Sequence, residues 1–175
     1  MLDKLKQFKL LIVLSLFLLA IPLYFTYNHF QQSSVLKEAF EKNERIEVLH
    51  HLMASGKYAS DIRKAGYVVP PDGAIRLDGG IDSIEIKGDI DFKISHPGRN
   101  GVTAYFEIEI DGKITSVLYE LDKNLDIVSS AYFQTNEKNK NERVTIPQAE
   151  EERLLKIVQS EIDGFMKKMY QTLYG

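Results

Sequence analysis

A chain of 175 residues with 22 basic and 25 acidic side chains, a formal net charge of −3 and no cysteine has room for one domain with a real core beside any targeting segment. The lack of thiols excludes a disulfide framework, a thiolate metal site and a cysteine nucleophile. Setting aside Lys4, Lys6, Lys9 and Asp3 leaves 19 basic against 24 acidic groups, a balance that gives no reason to expect a nucleic-acid partner.

The first predicted element is a membrane span. Residues 10–27 read LLIVLSLFLLAIPLYFTY, uninterrupted by charge. At a rise of about 1.5 Å per residue they reach about 27 Å, close to the hydrocarbon thickness of a bilayer. A cleaved leader ends in small residues, whereas this run ends in Pro22, Leu23, Tyr24, Phe25, Thr26 and Tyr27, so an uncleaved anchor from Leu10 to Tyr27 is expected. The lysines at 4, 6 and 9 keep residues 1–9 in the cytoplasm and send the rest of the chain outside. That topology places the protein in a bacterial inner membrane or the equivalent mitochondrial inner membrane.

Residues 28–133 are expected to hold a helix pair and an antiparallel sheet. Val35, Leu36, Ala39 and Phe40 repeat at helical spacing after Ser33 and Ser34. Asn43 reads as an interruption and fresh cap for a second helix with Ile46, Leu49, Leu52 and Met53 on one face, ended by Gly56. Residues 57–73, with Gly66, Pro70, Pro71 and Gly73, read as a connector.

The period then changes from 3.6 to 2. Ile75 and Leu77 alternate with polar neighbours, Gly79 and Gly80 turn the chain, and Ile84, Ile86, Ile90, Phe92 and Ile94 share one parity. Gly88 interrupts that parity and marks either a bulge in one long strand or a turn between two. Pro97 to Gly101 turn into Val102, Ala104, Phe106, Ile108 and Ile110. Asp111 and Gly112 supply the positive φ angles of a two-residue hairpin, followed by a strand from Lys113 to Leu121. Asp122 to Asn124 turn again into Leu125, Ile127 and Val128. The polar residues 134–146 read as a loop. Pro147 opens a C-terminal amphipathic helix over residues 147–175, with Glu150, Glu151 and Glu152 at the positive end of its dipole. The fold class expected is α+β: an N-terminal transmembrane helix, then an antiparallel meander of four or more strands covered by helices from both ends.

No catalytic, cofactor-binding or metal residue is expected. Adjacent His50 and His51 point to different sides of a helix and cannot chelate one ion together, and the sequence names no partner for His96. Asp89 and Asp91 beside Glu85 and Lys93 read as a solvated strand face. The glycines of residues 97–101 join two strands, with no helix N-terminus to hold a phosphate. The last helix either packs on its own sheet, the ordinary way to complete such a core, or docks a partner through Met166, Met169, Tyr170 and Tyr174.

The anchor, the helical pair ending near Gly56, the Pro-containing connector and the run GDIDFKISHPGRNGVTAYFEIEIDGKITSVLYEL together resemble the cytochrome oxidase complex assembly protein one family, a relative of the intermembrane-space domain of the mitochondrial presequence translocase. The resemblance covers residues 33–128. Gly88, the turn Pro97 to Gly101 and Gly112 fit the family's turns, while Ile114 stands where the family often has Trp. It implies a single-pass, non-catalytic assembly factor with no cofactor and no small-molecule substrate, whose partners are the membrane and proteins of a membrane complex, oxidase subunits among them. The alternatives are a structural subunit of an envelope secretion or pilus-like apparatus, and an anchored ligand-binding domain.

Overall fold

The computed structural model describes residues 18–24, 33–70, 79–95, 101–135 and 141–175. The chain forms two compact units, Met1–Glu38 and Ala39–Gly175. In the first, residues 18–24 are helical, and Leu18, Leu19, Ile21, Leu23 and Tyr24 each keep more than half of their surface exposed. The rest of the expected span, including both its limits Leu10 and Tyr27, lies outside the described residues, and among the described residues no helix is long and apolar enough to cross a membrane.

The second unit is α+β. Its helices α1 (Arg45–Met53) and α2 (Ala59–Lys64) precede a six-stranded antiparallel sheet, and α3 (Gln148–Tyr174) follows it. The strands β1 (Ser83–Ile86), β2 (Phe92–Ser95), β3 (Gly101–Ile110), β4 (Lys113–Asp122), β5 (Ile127–Thr135) and β6 (Asn141–Val144) lie side by side in chain order. Each pairs with the next, so the meander expected from the alternation is present and has two more strands than its minimum.

Capping chemistry sets the helix boundaries and corrects the reading of Asn43. Residues 33–41 are helical, and Asn43 follows with a φ of 56°. The Asn43 N–H donates to the Phe40 carbonyl (3.1 Å) and the Glu44 N–H to the Ala39 carbonyl (2.9 Å), a Schellman closure that satisfies the last carbonyls of the preceding helix. Asn43 therefore ends one helix, and Glu44 stands at the N-cap of α1. Asparagine fits because its short polar side chain tolerates the left-handed region.

The same closure explains the second difference. Residues expected as a connector contain a 3-10 turn, Gly56–Tyr58, and α2. Gly66, at φ 93°, donates to the Arg63 carbonyl while the Tyr67 N–H donates to the Ile62 carbonyl. Within the 3-10 turn and α2 themselves, Tyr58 and Ile62 are the buried apolar residues, too few for visible periodicity, so this short helix is held by what it packs against. Val68 then bridges Glu85 on β1. Ile75 and Leu77 lie outside the described residues, as do His96 and residues 97–100.

Gly88 sits in a turn, because β1 stops at Ile86 and β2 starts at Phe92. Its missing side chain matters: a Cβ there would run into the Glu161 carboxylate of α3, which accepts the Asp89 N–H at 3.2 Å. Asp111 (φ 52°) and Gly112 (φ 74°) make the expected hairpin between β3 and β4. After β4, Asp122 Oδ1 accepts the N–H groups of Asn124 (2.8 Å) and Asp126 (3.0 Å). Leu125 belongs to this turn, at φ 66° with its side chain buried, rather than to the next strand. A register shift at Glu120 and Leu121 leaves Val128 unpaired as a bulge, 70% exposed.

The polar stretch expected as a loop is a strand as far as Thr135 and again over Asn141–Val144, with residues 136–140 outside the described set. An edge strand needs backbone partners more than apolar side chains. Here Thr135 Oγ1 donates to Asn141 Oδ1 (3.0 Å), and Gln134 Nε2 donates to Oγ1 of fully buried Thr115 (2.9 Å).

One face of the sheet carries the core. Phe92, Phe106, Tyr119 and Tyr132 cross four strands in edge-to-face contacts of 6.5, 5.5 and 6.1 Å between successive rings. Above them α3 buries Leu154, Val158, Ile162, Phe165 and Met169 completely, and Phe165 meets Tyr67 edge-on at 4.8 Å. At about 1.5–3 kcal/mol for each large side chain, this stripe is what holds the helix in place.

Candidate interaction site

The four residues read as possible partner contacts, the alternative to packing on the sheet, lie near the C-terminal end of α3 but differ in access. Met169 is fully buried and Met166 retains 8% of its surface, whereas Tyr170 and Tyr174 are half-buried. Both tyrosines stand edge-on to Phe40, at 5.7 and 6.2 Å, and tilt against each other at 5.3 Å. The methionines thus serve the core, and the tyrosines are the part of the quartet that a second molecule can touch.

Beside them runs an open groove of about 710 Å³ whose walls include Phe40, Arg45, Asp163, Met166, Lys167 and Tyr170. Arg45 closes one side by donating to Asp163 through Nε (2.6 Å) and Nη2 (3.1 Å). This two-pronged bond pushes the Arg45 pKa further up, so the guanidinium stays charged and committed to Asp163. The groove presents aromatic and thioether surface framed by charges of both signs.

A second cluster lies under the N-terminal end of α3. Glu151, in the first helical turn, accepts hydrogen bonds from the Tyr132 hydroxyl and from Ser130 Oγ (2.9 Å). The Tyr132 hydroxyl has one proton and gives it to Glu151, so the Tyr119 hydroxyl, 3.4 Å away, donates to the Tyr132 oxygen. Burial pushes the pKa values of both phenols up. Tyr119 is raised further by the bond it donates to Tyr132, and Tyr132 by its bond to Glu151. Both hold their protons at neutral pH and act as donors. The arrangement fastens the helix start to β4 and β5, and it supplies no activated nucleophile.

Sequence reasoning missed this cluster. Tyr119 and Tyr132 lie on the buried parity of neighbouring strands, but which tyrosine meets which glutamate depends on a register that the bulge at Val128 resets. It also missed Arg45 with Asp163 and Glu161 with the Gly88 turn, contacts between residues far apart in the chain.

The other candidates are structural in placement. Lys93 Nζ lies 3.3 Å from Glu85 Oε1 across β1 and β2. Asp89 and Asp91 sit in the exposed turn between those strands. His50 is exposed and meets His51 edge-on at 6.0 Å between rings, while His51 Nε2 approaches Glu47 to 3.0 Å one helical turn back. Among the described residues, no group of three or more histidines and carboxylates is placed to hold a metal ion. No family model matches the chain, and neither a curated protein nor a solved structure matches it.

Proposed function

We propose that the chain is a single-pass membrane protein whose second unit works outside the cytoplasm, by contact rather than catalysis, in assembling a membrane complex. Cytochrome oxidase is the complex that the family resemblance implies. The observation that carries this reading is the run of exposed apolar helix at residues 18–24 within an uncharged stretch of eighteen residues preceded by Lys4, Lys6 and Lys9. Such surface is unfavourable in water and at home in lipid. The packed interface between α3 and the sheet supports a contact role over a ligand pocket at that place, since Ile84, Phe106, Leu154, Val158, Ile162 and Phe165 fill it.

The experiment is an alkaline carbonate wash of membranes carrying the full chain, followed by gentle solubilisation and affinity purification. Retention in the washed membrane together with co-purifying oxidase subunits is the expected result. Components of a secretion or pilus apparatus in their place would substitute the structural-subunit reading. Release of the chain by the wash would overturn the anchor, and a reporter joined after Gly175 that works only in the cytoplasm would reverse the orientation.

A further inference from the structure

We propose that the outer face of the sheet, turned away from α3, receives a basic partner segment with an apolar ridge. The proposal deepens the contact function above and rests on it. Register sets Tyr105, Leu118 and Ala131 side by side on β3, β4 and β5, and Phe133 is the next outward residue on β5. Tyr105 is 40% exposed, and the other three are partly exposed, so four neighbouring positions of a solvent-facing sheet surface carry apolar or aromatic groups. An antiparallel sheet with one wet face ordinarily places polar residues there.

The surrounding charges say what fits on this stripe. Glu107, Glu109 and Glu120 are exposed on the same face. Among the described residues, the cations on this face are Lys93, paired with Glu85, and Arg143, whose Nη2 donates to the Ser130 carbonyl at 3.2 Å and whose charge is thereby held but not cancelled. Glu107 accepts, among the described residues, hydroxyl donors from Tyr105 and Ser116. Three glutamates against the one cation without a carboxylate partner, Arg143, leave the described rim acidic. A second copy laid on this face would oppose acid to acid, and an anionic lipid surface would be repelled. A polypeptide whose large apolar side chains are flanked by Lys or Arg satisfies both stripe and rim.

The test places a photo-crosslinking benzoylphenylalanine at Tyr105 in the full chain, in its own membrane, and sequences the peptide that it captures. The expected capture is a partner segment in which basic residues flank apolar ones. Replacing Glu107→Lys together with Glu120→Lys should lower its yield about tenfold, while Glu47→Lys with Glu152→Lys, the same change in net charge on the helices, should leave it within about twofold. Should the lysine pair disturb folding, Glu107→Gln with Glu120→Gln should still lower the yield about threefold. Capture of an acidic segment, of lipid or of a second copy, equal losses for the two lysine pairs, or no capture from a chain that stays in the membrane would each overturn the proposal. A chain found free of the membrane would instead defeat the anchor reading.

Discussion

Replacing Tyr132→Phe removes one oxygen from the cluster beneath α3, and the structure says that the effect should exceed that of one hydrogen bond. Two losses coincide. Glu151 loses a donor, a charge-assisted bond worth about 1.5–3 kcal/mol, and the Tyr119 hydroxyl, on a fully buried side chain, loses its acceptor among the described residues, a further penalty of about 1–3 kcal/mol. The sum is about 2.5–6 kcal/mol. Tyr119→Phe alone should cost only about 1 kcal/mol, because Tyr132 keeps Glu151. The double variant then carries no stranded hydroxyl, so it should be more stable than Tyr132→Phe by about 1–3 kcal/mol. Urea unfolding of the full chain in detergent, followed by far-ultraviolet circular dichroism, measures all four corners of this cycle. Additive losses, or a Tyr132→Phe variant no worse than Tyr119→Phe, would refute the chain of donation from Tyr119 through Tyr132 to Glu151.

Three further outcomes are expected. Burial pushes the phenols of Tyr58, Tyr67, Tyr119 and Tyr132 above their usual range, so the unfolded chain releases these protons near pH 10 while the folded chain keeps them. The native state then binds more protons, and stability present below about pH 10 should fall with rising pH, by about 1.4 kcal/mol per unit for Tyr119 alone, read as a melting temperature that drops between pH 10 and 12. At Asn43, where φ is 56°, Asn43→Gly should be nearly neutral and Asn43→Val should cost about 1–2 kcal/mol in urea unfolding. Along α3, Phe165→Ala should cost about 3–5 kcal/mol through the cavity it leaves, against about 1 kcal/mol for the half-buried Tyr170→Ala, a contrast that thermal melts would show.

Local chemistry was legible where it decides local structure. Asp111 and Gly112 announce their hairpin because few other residues accept two positive φ angles in succession. Alternation from Val102 to Ile110 reveals a one-faced strand, and Pro147 with the glutamates behind it marks the start of α3. What was hidden depends on distant partners. The polar residues of β6 are a strand only because β5 offers them a backbone ladder, and α2 is helical although its own buried apolar pattern amounts to Ile62. The interaction site divides in the same way. Helical spacing brought Met166, Met169, Tyr170 and Tyr174 to one end of α3, but Phe40 and the fold around it decide that the tyrosines remain accessible and the methionines do not.

The Glu161 carboxylate that receives the turn between β1 and β2 has a bearing on biosynthesis. Asp89 and Glu161 are 72 positions apart, and at about 5–20 residues per second the ribosome needs roughly 4–14 s to make the stretch between them. Throughout that interval the opening hairpin waits without its lid, its oily underside available to chaperones and proteases. Contacts closed over such long loops also slow folding itself. The nascent domain should accordingly lean on a holding chaperone until α3 has emerged.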